Sequence, residues 1–401
     1  MSFKDLDLHP MLLDRCESLG FIEPTPIQQQ AIPVALQGAD IIACAETGTG
    51  KTAAFLLPTL QKLIGAKRKG TSVLVLAPTR ELANQTEKAC RELAPRKVSC
   101  AVIIGGAAYR KQADALRRGV DIIVATPGRL VDFMEQGAID FSKLHTLVLD
   151  EADRMLDMGF MPAIKRILKA IPEERQTLLF SATMSREIET LAYSIMKEPK
   201  VIEVSRRGNT AVTIEQTAYP VAAHSKMVLL LDLLEREKFE RVLVFTRTKR
   251  GADRLAHVLE ARSHSSNRIH GDRSQSQREA ALRGFKSGKT RVLVATDVAA
   301  RGIDIDSVSH VRNYDIPEAP EDYVHRIGRT GRAGNKGRAI TLMTSAEEHT
   351  MRAIERLTGQ TIERVLLPDF GGILPSAPSP SKKLSSAGKK SFRSFRPRRG
   401  R

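Results

Sequence analysis

The chain has 401 residues, 42% hydrophobic and 27% charged, which is enough apolar material for two or three folded units. Its net charge of +17 points to a polyanionic partner, nucleic acid first, with a solvated basic tail as the plain alternative. Four widely spaced cysteines without a C-x-x-C pair argue against a disulfide scaffold or zinc ribbon, and no apolar run reaches the roughly 20 residues of a membrane span.

The opening segment MSFKDLDLHP carries acids and no apolar signal core, so a reducing cytoplasm and no membrane contact are expected. Aromatic residues are few: 13 Phe, 5 Tyr and no Trp. A protein that stacks many bases would need more, so a nucleic-acid partner is expected to be held by its backbone.

In chain order, short apolar runs alternate with helical stretches. The runs are Ile41–Cys44, Val73–Leu76, Val102–Ile104, Ile122–Val124, Leu147–Leu149 and Leu178–Phe180. Continuous apolar runs predict strands buried on both faces, and alternation with helices predicts parallel sheets. After SRRGNTAVT (205–213) the pattern restarts with Val242–Phe245, Val292–Val294, Val311–Tyr314 and Ala339–Met343, with helices expected over Lys226–Glu237 and Gly251–Ala261. The expectation is an α/β chain of two related units, 1–205 and 214–370, a linker at 206–213, and a disordered basic tail at 371–401. Nine of the seventeen net charges lie in 382–401, leaving +8 for the rest.

The strand ends collect AETGTGKT, APTREL, GG, ATPGRL, DEAD and FSAT. In open parallel sheets, ligands bind beyond the carboxyl ends of the strands. In Ala45–Thr52, Gly48 and Gly50 let backbone amides face phosphate oxygens, Lys51 reaches the β- and γ-phosphates, and Thr52 is placed to ligate Mg²⁺. Ala45 stands where the general pattern has Gly, and a left-handed turn before a helix is the alternative. Asp150, at the end of an apolar strand, is expected to hold Mg²⁺ partly through water, with Glu151 beside it to activate a water. An acidic helix start is the alternative there. HRIGRTGR (325–332) offers Arg329 and Arg332 as arginine fingers, or simply a basic loop.

The ordered set FIEPTPIQ (21–28), AETGTGKT (45–52), PTREL (78–82), Gly105-Gly106, TPGRL (126–130), DEAD (150–153), SAT (181–183), VFTRT (244–248), QSQR (275–278), ATDVAARGID (295–304) and HRIGRTGR resembles a DEAD-box ATP-dependent RNA helicase of the minimal bacterial type, over residues 1 to about 370. Ala45 fits that family's own spelling of the loop. The resemblance implies two RecA-like domains that close on ATP and RNA and locally unwind short duplexes. It implies ATP contacts from Phe3, Phe21, Gln28, Ala45, Glu46, Thr47, Gly48, Thr49, Gly50, Lys51, Thr52 and Asp304, with Phe3 stacking on adenine and Gln28 reading it. It implies catalysis by Lys51, Asp150, Glu151, His325, Arg329 and Arg332, and coupling through Asp153, Ser181 and Thr183. It implies RNA contacts from Arg80, Gly106, Thr126, Gly128, Arg129, Arg154, Arg278, Thr296 and Gly302. A monomer working with ribosome-precursor or RNA-decay proteins is expected. An ATP-gated RNA clamp or chaperone with little unwinding, and a DNA translocase, are the competing readings.

Overall fold

The computed structural model describes residues 1–45, 48–65, 70–95, 97–204, 214–237, 239–300, 308–331 and 337–370. Seven strands form the first sheet: β1 (Ile41–Cys44), β2 (Val73–Leu76), β3 (Cys100–Ile103), β4 (Ile122–Ala125), β5 (Thr146–Asp150), β6 (Gln176–Ser181) and β7 (Lys200–Glu203). Seven more form the second: β8 (Ile214–Pro220), β9 (Val242–Phe245), β10 (Ser266–Ile269), β11 (Val292–Ala295), β12 (His310–Asn313), β13 (Gly337–Met343) and β14 (Glu363–Arg364). The orders are β3-β4-β2-β5-β6-β1-β7 and β10-β11-β9-β12-β13-β8-β14. Adding seven to each strand of the first sheet reproduces the second. The expected tandem RecA-like α/β architecture is present, with every pairing parallel.

Helices cover both faces of each sheet, so the strand residues divide by parity. Val73 and Val75 join one core with Phe55 and Ala83, whereas Leu74 and Leu76 join the other with Phe133 and Met155. All four strand residues are fully buried. A Leu→Ala change at such a position costs about 2–5 kcal/mol. This two-sided burial is why the apolar runs were readable.

Four strands escaped the sequence reading because they lack such runs. Edge strand β7 buries only Ile202, and β10 reads SNRI with one buried residue. β8 alternates as IEQTAYP, and β14 has two residues. Several boundaries also move by one or two residues, two of them for a visible reason. The strand expected over Val102–Ile104 stops at Ile103, because the Gln112 amide takes over the backbone of Ile104, accepting from its N–H at 2.8 Å and donating to its carbonyl at 3.1 Å. The helix expected from Gly251 starts at Lys249, since Thr248 caps it by accepting the Gly251 N–H at 3.0 Å. The expected linker 206–213 and tail 371–401 lie outside the described residues. Among those described, no helix is long and apolar enough to cross a membrane.

Candidate nucleotide site and nucleic-acid face

Register places the candidate residues at one edge. β1 pairs with β6 so that Cys44 faces Ser181, and β5 pairs with β6 so that Asp150 faces Phe180. The loop after β1 therefore leaves the sheet one strand away from the end of β5, across β6. Ala45 extends the ladder once more, donating its N–H to the Ser181 carbonyl at 3.0 Å.

Gly48 and Gly50 have φ of 88° and 90°, a region open to glycine at no steric cost. A Cβ on Gly50 would collide with Gln28 Nε2. Gln28 is the third residue of the helix Pro26–Leu36; its Oε1 accepts the Thr25 N–H at 2.9 Å and its Nε2 donates to the Gly50 carbonyl at 3.1 Å. In this state Gln28 fastens the loop to the helix start. Lys51 opens the next helix, Lys51–Leu63, and donates Nζ to the Ala45 carbonyl at 2.9 Å while 6% exposed. Thr52 follows it, half-buried, and Thr49 precedes Gly50 in the loop. Glu46 and Thr47 lie outside the described residues.

Phe3, from which adenine stacking is expected, is 5% exposed, its ring stacked on Phe21 with centroids 6.1 Å apart. Phe21, at 36% exposure, is the ring that has an open surface.

At the end of β5, Asp150 is 2% exposed and its Oδ1 has no hydrogen-bond partner. Burial pushes its carboxyl up to about 7, with Glu151 adding to the effect and Lys51 opposing it. A buried carboxylate oxygen with an open lone pair and a threonine hydroxyl suit a hard cation that takes oxygen ligands, so the residues fit Mg²⁺. Glu151 sits at φ 53°, ψ 55°, left-handed for a residue with a Cβ, and caps the short helix Ala152–Asp157. Such strain costs about 1–3 kcal/mol and gathers at functional sites.

Asp153 accepts from the Ala182 N–H at 3.0 Å, the Thr183 N–H at 2.9 Å and Thr183 Oγ1 at 3.1 Å. Burial works against its charge, yet Lys51, His325, Arg154 and the Thr183 amide hold its carboxyl below the usual range. Ser181 Oγ closes the loop, accepting from the Asp153 N–H at 3.2 Å and donating to the Thr183 carbonyl at 2.7 Å.

Arg154 departs from its expected place on an RNA surface. It is 1% exposed, pairs with Glu151 Oε2 at 2.8 Å, and lies 3.3 Å from Nδ1 of His325 on the second unit. It is an internal link between units, because its two partners already enclose the guanidinium. Arg278 also differs. At 8% exposure it pairs across the cleft with Glu81 at 2.9 Å, so it does not face open solvent. Arg329, 4% exposed, lines one cavity with Arg154, Asp297, His325 and Arg326. Arg332, Gly302 and Asp304 lie outside the described residues.

Arg80, Gly106, Thr126, Gly128 and Arg129 stand beyond the ends of β2, β3 and β4: Arg80 opens the helix Arg80–Leu93, Gly106 lies in the loop after β3, and Thr126 caps the helix Pro127–Glu135, whose first turn holds Gly128 and Arg129. Gly106 has φ 72°, and a Cβ there would strike the Arg80 guanidinium, so the glycine admits the arginine. Thr126 is buried and Gly128 is exposed with open space about it. Thr296, 6% exposed, directly follows β11 in the second unit.

Sequence reasoning missed Asp297 and Arg326. Arg326, 2% exposed, binds Asp297 through two parallel bonds of 2.5 and 2.6 Å, reaches the Asp315 carbonyl at 2.6 Å, and lies over the Phe245 ring at 4.9 Å. Both stood inside quoted motifs, but only packing reveals that they build the wall of the cleft. Glu81 was missed in the same way.

Two family models and several known proteins match this chain. The DEAD/DEAH box helicase model matches residues 25–191 and the helicase conserved C-terminal domain model matches 225–334. The chain is 45% identical over 368 residues to the DEAD-box ATP-dependent RNA helicase CshA of Geobacillus kaustophilus, spanning 92% of this chain and 79% of that one. It is 44% identical over 369 residues to CshA of Bacillus subtilis, spanning 92% and 74%. Among solved structures, S. cerevisiae Dbp5 bound to RNA and ADP BeF3 superposes with a TM-score of 0.83 at 32% identity, covering 91% of this chain and 95% of that one. Mss116p bound to ssRNA and AMP-PNP gives 0.83 at 29%, covering 91% and 78%. The motifs, their placement on the strand ends and these relatives lead to one conclusion: this chain belongs to the DEAD-box family and is an ATP-dependent RNA helicase.

Proposed function

We propose that one ATP binds on the first unit and that Arg154 carries its state to the second, coupling hydrolysis to RNA binding. The observation that carries this reading is the chain Glu151–Arg154–His325, its first two members buried and His325 half-buried, which runs from the acidic strand end into the second unit. Lys51 holds the β- and γ-phosphates, and Gly48, Gly50 and the helix start behind them supply amides. Asp150 and Thr52 hold Mg²⁺, which when bound neutralises phosphate charge. Glu151 takes the proton of the attacking water, Arg329 and Arg332 meet the charge on the transferring phosphoryl, and Asp304 meets the ribose. Phe21 and Gln28 contact adenine.

Arg80, Gly106, Thr126, Gly128, Arg129, Thr296 and Gly302 form the track for RNA phosphates, and such contacts carry little sequence information. Arg278 and Glu81 help to hold the units together. Domains at 1–205 and 214–370, a linker at 206–213 and a basic tail at 371–401 complete the chain. We place it in the cytoplasm as a monomer beside ribosome-precursor or RNA-decay proteins.

The test is RNA-stimulated ATPase together with strand displacement of a short duplex. Both are expected to disappear in Lys51→Ala and in Glu151→Gln. ATPase that ignores RNA would overturn the coupling.

A further inference from the structure

Tyr109 is the first residue of the helix Tyr109–Arg118, three positions after Gly106. It is 39% exposed in a chain with few aromatic residues. Its ring is nonetheless firmly seated. It lies on Phe133 with centroids 4.5 Å apart and planes 14° apart, and Phe133 is fully buried in the core beneath. The Tyr109 hydroxyl bonds the Gln136 side chain.

The guanidinium of Arg129 lies over this ring, with Cζ 5.9 Å from the centroid. The other holds on Arg129 are long: 3.4 Å from Nε to Asp132 Oδ2 and 3.5 Å from Nη1 to the Ala107 carbonyl. Hydrogen bonds of that length are weak. A guanidinium over an aromatic face gains from the ring quadrupole and keeps its outer N–H groups free. Gly128 beside it leaves open space for an incoming strand.

We propose that Tyr109 is a positioning residue for RNA: braced on Phe133, it holds the Arg129 guanidinium where a phosphate meets it. This rests on the reading of Arg129 as a phosphate contact. An arginine already held in place loses less freedom when RNA arrives, so the brace acts on RNA affinity and not on the chemical step.

The experiment measures the RNA concentration for half-maximal ATPase stimulation in the full chain. Tyr109→Leu keeps a cover on Phe133 but removes the π face, and it should raise that concentration about two- to five-fold. Tyr109→Phe keeps the face and should behave as the parent. RNA-saturated kcat and KM for ATP should not move in either. Tyr109→Leu combined with Arg129→Ala should be no worse than Arg129→Ala alone. If Arg129→Ala weakens RNA binding while Tyr109→Leu does not, or if their effects add, the brace is wrong. If Arg129→Ala itself has no effect, the phosphate reading beneath it is wrong.

Discussion

The two sheets share one topology and differ in what their strand ends leave unsatisfied. Each first strand is followed by a helix that opens on a buried lysine: Lys51 after β1 and Lys226 after β8. Each has a carboxylate at or just beyond the corresponding later strand, Asp150 on β5 and Asp315 beyond β12. In the first unit the link before the lysine contains Gly48 and Gly50, and the carboxylate keeps an unpartnered oxygen. In the second, the link 221–225 reads VAAHS, without glycine.

There Lys226 reaches Glu347 at 3.1 Å and Asp315 at 3.8 Å. Glu347 also accepts from the Thr344 N–H at 2.8 Å and from Arg247 at 3.0 Å. A side-chain carboxylate thus takes the lysine in the second unit, while the first keeps its lysine beside a glycine-rich loop. The fold alone does not make a nucleotide site; the open donors and acceptors on it do.

The sharpest way to break this comparison is to exchange the lysines' roles. Lys51→Ala should lower RNA-stimulated kcat by about 100-fold or more in a steady-state ATPase assay. Lys226→Met should leave kcat within about two-fold but destabilise the chain by about 3 kcal/mol in denaturant unfolding, because two carboxylates lose a buried partner. Equal kinetic losses in both would show that the second cluster also serves ATP.

A smaller effect concerns pH. The raised Asp150 carboxyl is protonated below about 7 in the free enzyme and then cannot ligate a cation. The kcat/KM for ATP should fall about ten-fold per unit below pH 7; a flat profile from pH 6 to 8 would contradict it. The stability sign is opposite to that of a paired carboxylate. With its folded value above its unfolded one, the group's stabilising contribution is complete below about 3.8 and is lost as pH rises through about 7. Asp150→Asn should therefore raise Tm at pH 8 by a few degrees while removing activity.

The smallest expected change separates the second unit from the tail beyond it. Deleting 371–401, with nine basic residues and no acid in its last twenty, should weaken RNA binding about a few-fold and flatten its salt dependence by about 0.7 per lost phosphate contact. An unchanged salt slope would make the tail irrelevant to RNA.

The sequence by itself determined the central strands of both sheets, the glycine-rich loop after β1 and the acidic end of β5. Strands buried on both faces must be apolar throughout, and a loop that curls around phosphates needs glycine, so both leave local marks. Only the tertiary structure decided where the arginines point. Arg80, Arg129, Arg154, Arg278 and Arg326 are alike in sequence, since charge carries no sign of burial. Packing turned Arg154 and Arg278 inward to Glu151 and Glu81, made Arg326 a wall of the cleft, and set Arg129 on Tyr109. The partner of a long cationic side chain is chosen by residues distant in the chain, and that choice exists only once the two sheets are folded and brought together.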